Sequence, residues 1–447
     1  MKKLLIIQQD EAYFLYETLL VLEKNQSSLK DFDLTILVDK KSLEFIQTKS
    51  IIASFKIVSD FSEVISQKFD MSFNLSQREE TWTIHSQIES EHKIGPYFEG
   101  DRLIVKDHWS SFYLTLKSKA PFLTFHLQDI FKNIIGIKKF ENSKNEVSPI
   151  RTLAFGFTHS ELFSGQELEN LVNDIHASHP FLAIRDISEI DPIQDLSSVL
   201  YIGPATLDAL FLCESGAQGL FLTSHFQGLN LLPYGENHLV VSSRGESFLS
   251  RHLLPLVQSK ILNTPTPKTN YSLYKLTKEH LFGLYAEAQD KSDDSYPIYQ
   301  SHVVLWNFLL GLFDTNLEIT QCSPSQLNLL KQQEMVLTKL TRLYDYAMSS
   351  IDTIHAEARS NEASQQVIQG HLKNLQEIDT ISDQISQSHP FLRPILDFYH
   401  IRRGQNEGST LLEQTQHSFL TYSEEHQALK ALLELFSVTL NKNEVNI

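Results

Sequence analysis

The residues best suited to chemistry sit at turns between predicted elements. Gly203-Pro204-Ala205-Thr206 follows the apolar run VLYIG and precedes a helical stretch from about Ala205 to Cys213. Glycine lets a ligand approach the backbone and a helix N-terminus offers unpaired N–H donors, so this turn suits a phosphate. Thr158, His159 and Ser160 precede a second helical stretch near Gln166 and admit the same reading, with ordinary loop chemistry as the alternative. Asp10 and Glu11 close the first apolar run and open a helix. By type they are proton acceptors, and by position they are acids that favour the positive end of a helix. Arg78, Glu79 and Glu80, with Trp82 and His85 close behind, follow the run FDMSFNLS and read either as a binding surface or as a solvated helix start. Tyr234-Gly235-Glu236 occupies a turn ahead of a strand at His238, where Glu236 either binds ligand hydroxyls or belongs to a structural turn.

Other polar clusters carry less. His355-Ala356-Glu357 and Glu424-Glu425-His426 have the right residue types for a metal but no second cluster at suitable spacing, so they read as solvated helix faces. Cys213 and Cys322 lie far apart without His or Cys neighbours, which suggests neither a zinc site nor a disulfide framework and suits a reducing, cytoplasmic setting. No P-loop, G-x-S-x-G or G-x-G-x-x-G fingerprint is present, which counts against P-loop hydrolysis, serine-hydrolase and dinucleotide chemistry.

The elements that must position these residues alternate. LLII (4–7), FDLTILV (32–38), FKIVSD (55–60), FDMSFNLS (69–76), HKIG (92–95) and RLIVKD (102–107) read as strands, with helices at 11–23 and 125–137. This is the rhythm of β-α-β units. After a polar linker at 138–149, a second series follows through TLAFGF, FLAIRD, VLYIG, GLFLT and HLVVSS. Beyond about residue 265 the pattern turns helical. Leu330, Leu337, Tyr344, Ile351 and Ala358 recur every seven residues with Leu340, Ala347 and Ile354 between them, a coiled-coil-like seam. The seam serves either an intramolecular bundle or a homodimer or protein partner docked through residues 325–440. Ser423-Glu424-Glu425 is expected to open the last helix. Three domains result, at 1–145, 150–264 and 265–447.

A chain of 447 residues with 41% hydrophobic and 21% charged residues has ample capacity for buried cores. With 55 acidic against 38 basic side chains the net charge is −17, which opposes nonspecific binding to nucleic acid. No run approaches the ~20 apolar residues of a membrane span, and the four apolar residues after Lys3 are too few for a signal-peptide core.

The segment from Leu200 to Ser243 resembles glycosyltransferase family 9, the heptosyltransferase-like enzymes. Tyr201-Ile202-Gly203-Pro204-Ala205-Thr206-Leu207, Gly216-Ala217 before GLFLT, and Leu232-Pro233-Tyr234-Gly235-Glu236-Asn237-His238 keep the order and spacing of that family's D-[ST]-G-P-x-H loop, small-residue turn and G-P-Y-G-x-x-H-like segment. FDMSFNLS followed by HKIG is similar to its first-domain strand and turn. The resemblance covers about residues 1–260. It implies an α/β fold of two facing Rossmann-like domains (the GT-B architecture), here followed by an all-α helical domain.

It also implies transfer of a sugar from a nucleotide-activated donor to a bacterial surface glycan, lipid-linked or protein acceptor, without a metal or other cofactor. Asp10 or Glu11 would then be the base, although the family's Asp aligns with Ala12. Thr158, His159, Gly203, Pro204, Ala205, Thr206, Tyr234, Gly235 and Glu236 would face the donor. Arg78, Glu79 and Trp82 would face the acceptor. The family's loop Asp and His fall on Tyr201 and Thr206, and its phosphate-facing Lys is absent near Phe157. The competing reading is a catalytically degenerate binding or scaffold protein that acts through its helical domain.

Overall fold

The computed structural model describes residues 1–48, 55–116, 125–137, 148–156, 162–190, 196–224, 237–243, 245–280, 283–288, 296–311, 322–360, 364–405 and 410–444. Chain packing divides it into two compact units, one of Met1–Leu123, Ile130–Lys139 and Asp294–Ile447, the other of Thr124–Asp129 and Phe140–Asp293.

The first unit holds a five-stranded parallel sheet in the order β3-β2-β1-β4-β5. The strands are β1 (Lys2–Gln8), β2 (Phe32–Val38), β3 (Lys56–Val58), β4 (Lys68–Asn74) and β5 (Glu89–Ile94). In β1 the residues Leu4–Ile7 are at most 2% exposed, as an uninterrupted apolar run in a sheet covered on both faces requires. The next two strands, β6 (Tyr97–Glu99) and β7 (Arg102–Ile104), form a separate antiparallel ribbon, so the run RLIVKD leaves the sheet. Gly95 precedes this ribbon at φ +88°, and a Cβ there would meet the carbonyl of Asn74, so only glycine serves.

The second unit carries a seven-stranded sheet in the order β14-β13-β12-β11-β10-β8-β9. β8 (Thr152–Phe155), β9 (Ala183–Asp186), β10 (Val199–Gly203), β11 (Gln218–Thr223) and β12 (Leu239–Ser242) are parallel. β13 (Ser272–His280) and β14 (Gly283–Ala288) then run antiparallel beyond β12. The expectation of helix beyond about residue 265 is corrected here. Tyr271 and Leu273 are buried in the second unit's core, so this stretch extends the sheet.

Helices Tyr296–Leu309, Pro324–Arg359, Gln365–Ser388, Arg393–Arg403 and Leu411–Glu444 complete the first unit. Ser323 and Gln326 cap the second of these reciprocally. Its heptad seam is buried within the chain, with Leu330, Leu337, Leu340, Tyr344, Ala347 and Ile351 fully covered. The last helix does not begin at Ser423. It starts at Leu411, where Thr410 Oγ1 accepts from the Glu413 N–H and the Glu413 carboxylate accepts from the Thr410 N–H. Glu425 is likewise no solvated residue. It is fully buried, accepting hydrogen bonds from Tyr344 and Arg403.

Three of the buried histidines are shifted strongly. Burial holds His85 and His302 down to about 4 and His238 down to about 3. Each stays neutral in the folded chain at pH values where the unfolded chain protonates it, so it removes stability as pH falls from about 6.5 to 4. In the His85→Gln variant, the slope of unfolding free energy against pH should flatten across that window by one proton. This corresponds to a difference on the order of 3 kcal/mol between pH 7 and 4, read from urea midpoints at each pH.

Candidate functional site

In the first sheet the chain winds outward from β1 through β2 to β3, then returns to place β4 on the other side of β1. Loops leaving β1 and β4 therefore diverge, and a crevice opens at their carboxyl ends. A cleft of about 750 Å³ lies there, lined by Asp10, Glu11, Ala12, Phe14, Asp39, Lys41, Ser42, Gln77, Arg78 and Leu116. That is the size range of small-molecule sites.

Asp10 is the buried acid of this cleft, at 9% exposure. Its carboxylate accepts from the Ser76 hydroxyl at 2.7 Å, from the Gln77 backbone N–H at 3.0 Å and from the Tyr113 hydroxyl at 3.2 Å. Burial raises its pKa, while these hydrogen bonds and the nearby Arg78 pull it partly back. The Gln77 N–H is shared between both carboxylate oxygens, so each oxygen accepts from two donors. The loop is fixed from below as well: the Asp10 N–H donates to the Gln8 side chain, and Ser42 donates to the Asp10 carbonyl. Glu11 lines the same cleft but is exposed and makes no side-chain cap bond.

Of the residues placed on the acceptor side, Arg78 lines the cleft and donates to the Gln9 carbonyl at 2.9 Å. Glu79 stands exposed in the first turn of helix Glu79–Gln87. Trp82 sits behind the cleft rather than in it. It is 8% exposed, packs with Val105 and Leu114, and donates its indole N–H to the Ser76 carbonyl at 3.2 Å. His85 is buried between Ser72 and the Pro96 carbonyl.

Ser76, Gln77, Tyr113 and Ser42 were not singled out from sequence. Ser76 and Gln77 follow β4 in the same polar run as Arg78, which is a usable signal. Tyr113 comes from a helix a hundred residues downstream and leaves no local one.

In the second unit the corresponding reversal falls between β8 and β10. Gly203 ends β10, and Thr206 caps helix Leu207–Glu214 by accepting from the Ala209 N–H at 3.2 Å. Between the two strand ends lies the Tyr201 ring, fully buried, with its hydroxyl donating to the Pro204 carbonyl at 2.6 Å. A Cβ at Gly156 or Gly203 would come within 2.7 or 2.6 Å of that hydroxyl. The adjoining cavity, about 110 Å³, is bordered by Phe155, Phe163, Leu168, Gly203 and Pro204 among others. Thr158, His159, Tyr234, Gly235 and Glu236 lie outside the described residues. Among the described residues no group of three His, Cys, Asp or Glu is placed to hold a metal ion, and no helix is long and apolar enough to cross a membrane.

The chain thus contains two α/β units with Rossmann-type reversal points and a helical segment in the first unit. It is similar to solved structures of the heptosyltransferase-like family. The Escherichia coli heptosyltransferase WaaC with ADP is 9% identical, over 58% of this chain and 99% of that one, at a TM-score of 0.40. The same enzyme with ADP-2-deoxy-2-fluoro heptose is 10% identical, over 53% and 92%, at 0.35. A glycosyl transferase family 9 protein from Veillonella parvula DSM 2008 is 11% identical, over 59% and 98%, at 0.34. No family model and no curated protein matches the sequence.

The contact of Tyr201 with the two glycines is testable on its own. Gly156→Ala should destabilise the second unit by about 1–3 kcal/mol through overpacking against the hydroxyl. Combined with Tyr201→Phe, which removes that oxygen and leaves ring carbon at an ordinary 3.5 Å, the penalty of the alanine should largely vanish. Thermal unfolding of the four-member cycle measures it, and additive effects would refute the steric account.

Proposed function

We propose that the chain is a glycosyltransferase using a nucleotide-activated sugar, with Asp10 as general base. The acceptor hydroxyl gives its proton to Asp10 as its oxygen attacks the anomeric carbon. The bond from that carbon to the diphosphate oxygen breaks, and the nucleoside diphosphate leaves with the electron pair. The observation that carries this reading is a buried carboxylate, held by three donors, at the reversal point of the first sheet. Its raised pKa suits proton abstraction near neutral pH better than an exposed acid would.

Arg78 and Glu79 are the proposed acceptor contacts, and Trp82 contributes from behind through Ser76. Glu11 is the second candidate base in the same cleft. Gly203, Pro204, Ala205 and Thr206, with Thr158, His159, Tyr234, Gly235 and Glu236, are the proposed donor contacts, supported by the motif order from Leu200 to Ser243. The acceptor class is a bacterial surface glycan or a related lipid-linked or protein acceptor, and the site of action the cytoplasm.

A second reading rests on Tyr201 and Thr206. Where the family resemblance leads one to expect an Asp and a His, one side chain sets its hydroxyl against the strand-end glycines and the Pro204 carbonyl, and the other caps its own helix. Both features favour a protein that keeps the α/β frame for binding and has lost transfer.

Calorimetric titration with ADP, UDP, GDP and CMP, followed by an acceptor screen with the matching nucleotide sugar, separates the two. Saturable binding of one nucleotide is expected. In Asp10→Asn, turnover should fall by about 10²–10⁴-fold with nucleotide affinity unchanged. Absence of binding at millimolar ligand by the folded protein would sink the transferase reading and favour the second.

A further inference from the structure

The helix His108–Thr115 is held from two sides, and the two sides belong to different parts of the first unit. On one side Tyr113 donates its hydroxyl to Asp10, and its carbonyl accepts from the Gln77 side-chain amide at 2.7 Å. Tyr113 thus touches the carboxylate and also the residue whose backbone N–H holds that carboxylate. On the other side Phe112 packs edge-on against Trp306 with ring centroids 4.8 Å apart, and Trp306 packs against Phe398 at 5.4 Å. Arg402 donates to His108 Nε2 at 2.6 Å and pairs with Glu424 at 3.0 Å. Just upstream, the Val105 N–H donates to the Gln405 side chain and Arg102 to the Gly404 carbonyl.

Within itself the helix has one side-chain N-cap, Asp107 accepting from the Ser110 N–H at 2.7 Å. Eight residues are too few for independent stability, and His, Trp, Ser, Phe, Tyr and Thr are weak helix formers. Its position is therefore set by what packs on it. Phe112 and Tyr113 are neighbours on the one short helix, so a shift on its aromatic side carries Tyr113 with it.

We infer that the helical segment fixes the Asp10 carboxylate through this helix, with Trp306, Phe398 and Arg402 as positioning residues for the cleft. The inference gives the helical segment a role in the site of the first unit. It takes its functional meaning from the reading of Asp10 as the base, but its test needs no substrate.

The test is a carboxyl-carbon NMR titration of protein labelled with ¹³Cγ-aspartate, the Asp10 signal being identified by its loss in Asp10→Asn. The charged and titratable groups around the carboxylate are Arg78, Lys41, Glu11, Asp39 and Tyr113, and none of the first four is altered. Tyr113→Phe serves as reference, since it removes one hydrogen bond to the charged form and must move the Asp10 midpoint upward.

Trp306→Leu and Arg402→Gln should move the midpoint in the same direction, and neither should add to the shift once Tyr113 is already Phe. An unchanged Asp10 midpoint in Arg402→Gln and Trp306→Leu, alongside lowered melting temperatures, would reduce the contacts to simple packing and overturn the inference. A shift that adds fully to that of Tyr113→Phe would overturn it too. Should Trp306→Leu not fold, Arg402→Gln, which alters a partly exposed side chain, decides alone. Failure to detect sugar transfer leaves this result untouched, and an unchanged midpoint leaves the transferase reading untouched.

Discussion

Keeping one carboxylate nearly dry is the constraint on which the first unit turns. An acid at 9% exposure is costly to ionise unless donors replace the water it has lost. Asp10 obtains them from Ser76 and Gln77, 66 and 67 positions along the chain, and from Tyr113 at 103. None of these donors is local. The site exists only once β4 has paired with β1 and the helix His108–Thr115 has docked, so folding of the unit and assembly of the site are one event. Partners that are themselves anchored make the arrangement stiff. Ser76 receives an indole hydrogen bond from Trp82 on its carbonyl, and its N–H donates to Asn74. Asn74 in turn donates to the Thr81 and Pro96 carbonyls.

The second unit solves the same topological problem differently. Its sheet also reverses direction, between β8 and β10, but there a tyrosine hydroxyl lies against the strand-end glycines and only a cavity of about 110 Å³ remains beside them. Gly156 and Gly203 are small because the Tyr201 hydroxyl lies against both. A glycine at a strand end is commonly read as room left for a ligand. Here part of the room is taken by the Tyr201 hydroxyl, and the glycine motif alone does not distinguish the two cases.

Much of the α/β framework was readable because buried parallel strands are written as uninterrupted apolar runs: LLII, FDLTILV and VLYIG each fall within a strand at almost the same bounds. The hairpin β13–β14 was not, since it follows a proline-rich stretch and joins a sheet whose other strands lie far upstream. Ser423-Glu424-Glu425 has the composition of a helix start but lies inside the last helix, whose working cap is the Thr410–Glu413 pair. In the site, Asp10 and Arg78 were legible from their places at strand ends. Trp82 and His85 were legible only as residues, because whether an aromatic at a helix start lines a cleft or backs it depends on packing that no local pattern records.

Burial of the heptad seam inside the chain bears on what the helical segment is for. A seam buried against its own neighbours serves the bundle, and what it yields is rigidity. The fully buried Glu425, bonded to Arg403 and Tyr344, works in the same sense. Buried ion pairs are often replaceable by apolar residues without loss of stability, whereas removing one member of such a set is costly. Such a set penalises any slip of one helix along another, because a slip separates the charges. Arg403 sits beside Arg402, whose guanidinium bonds to His108. The charge network therefore pins the helix that grips the element carrying Tyr113. A bundle that cannot slide is what would be needed for packing on one face of an eight-residue helix to set a hydrogen bond on the other.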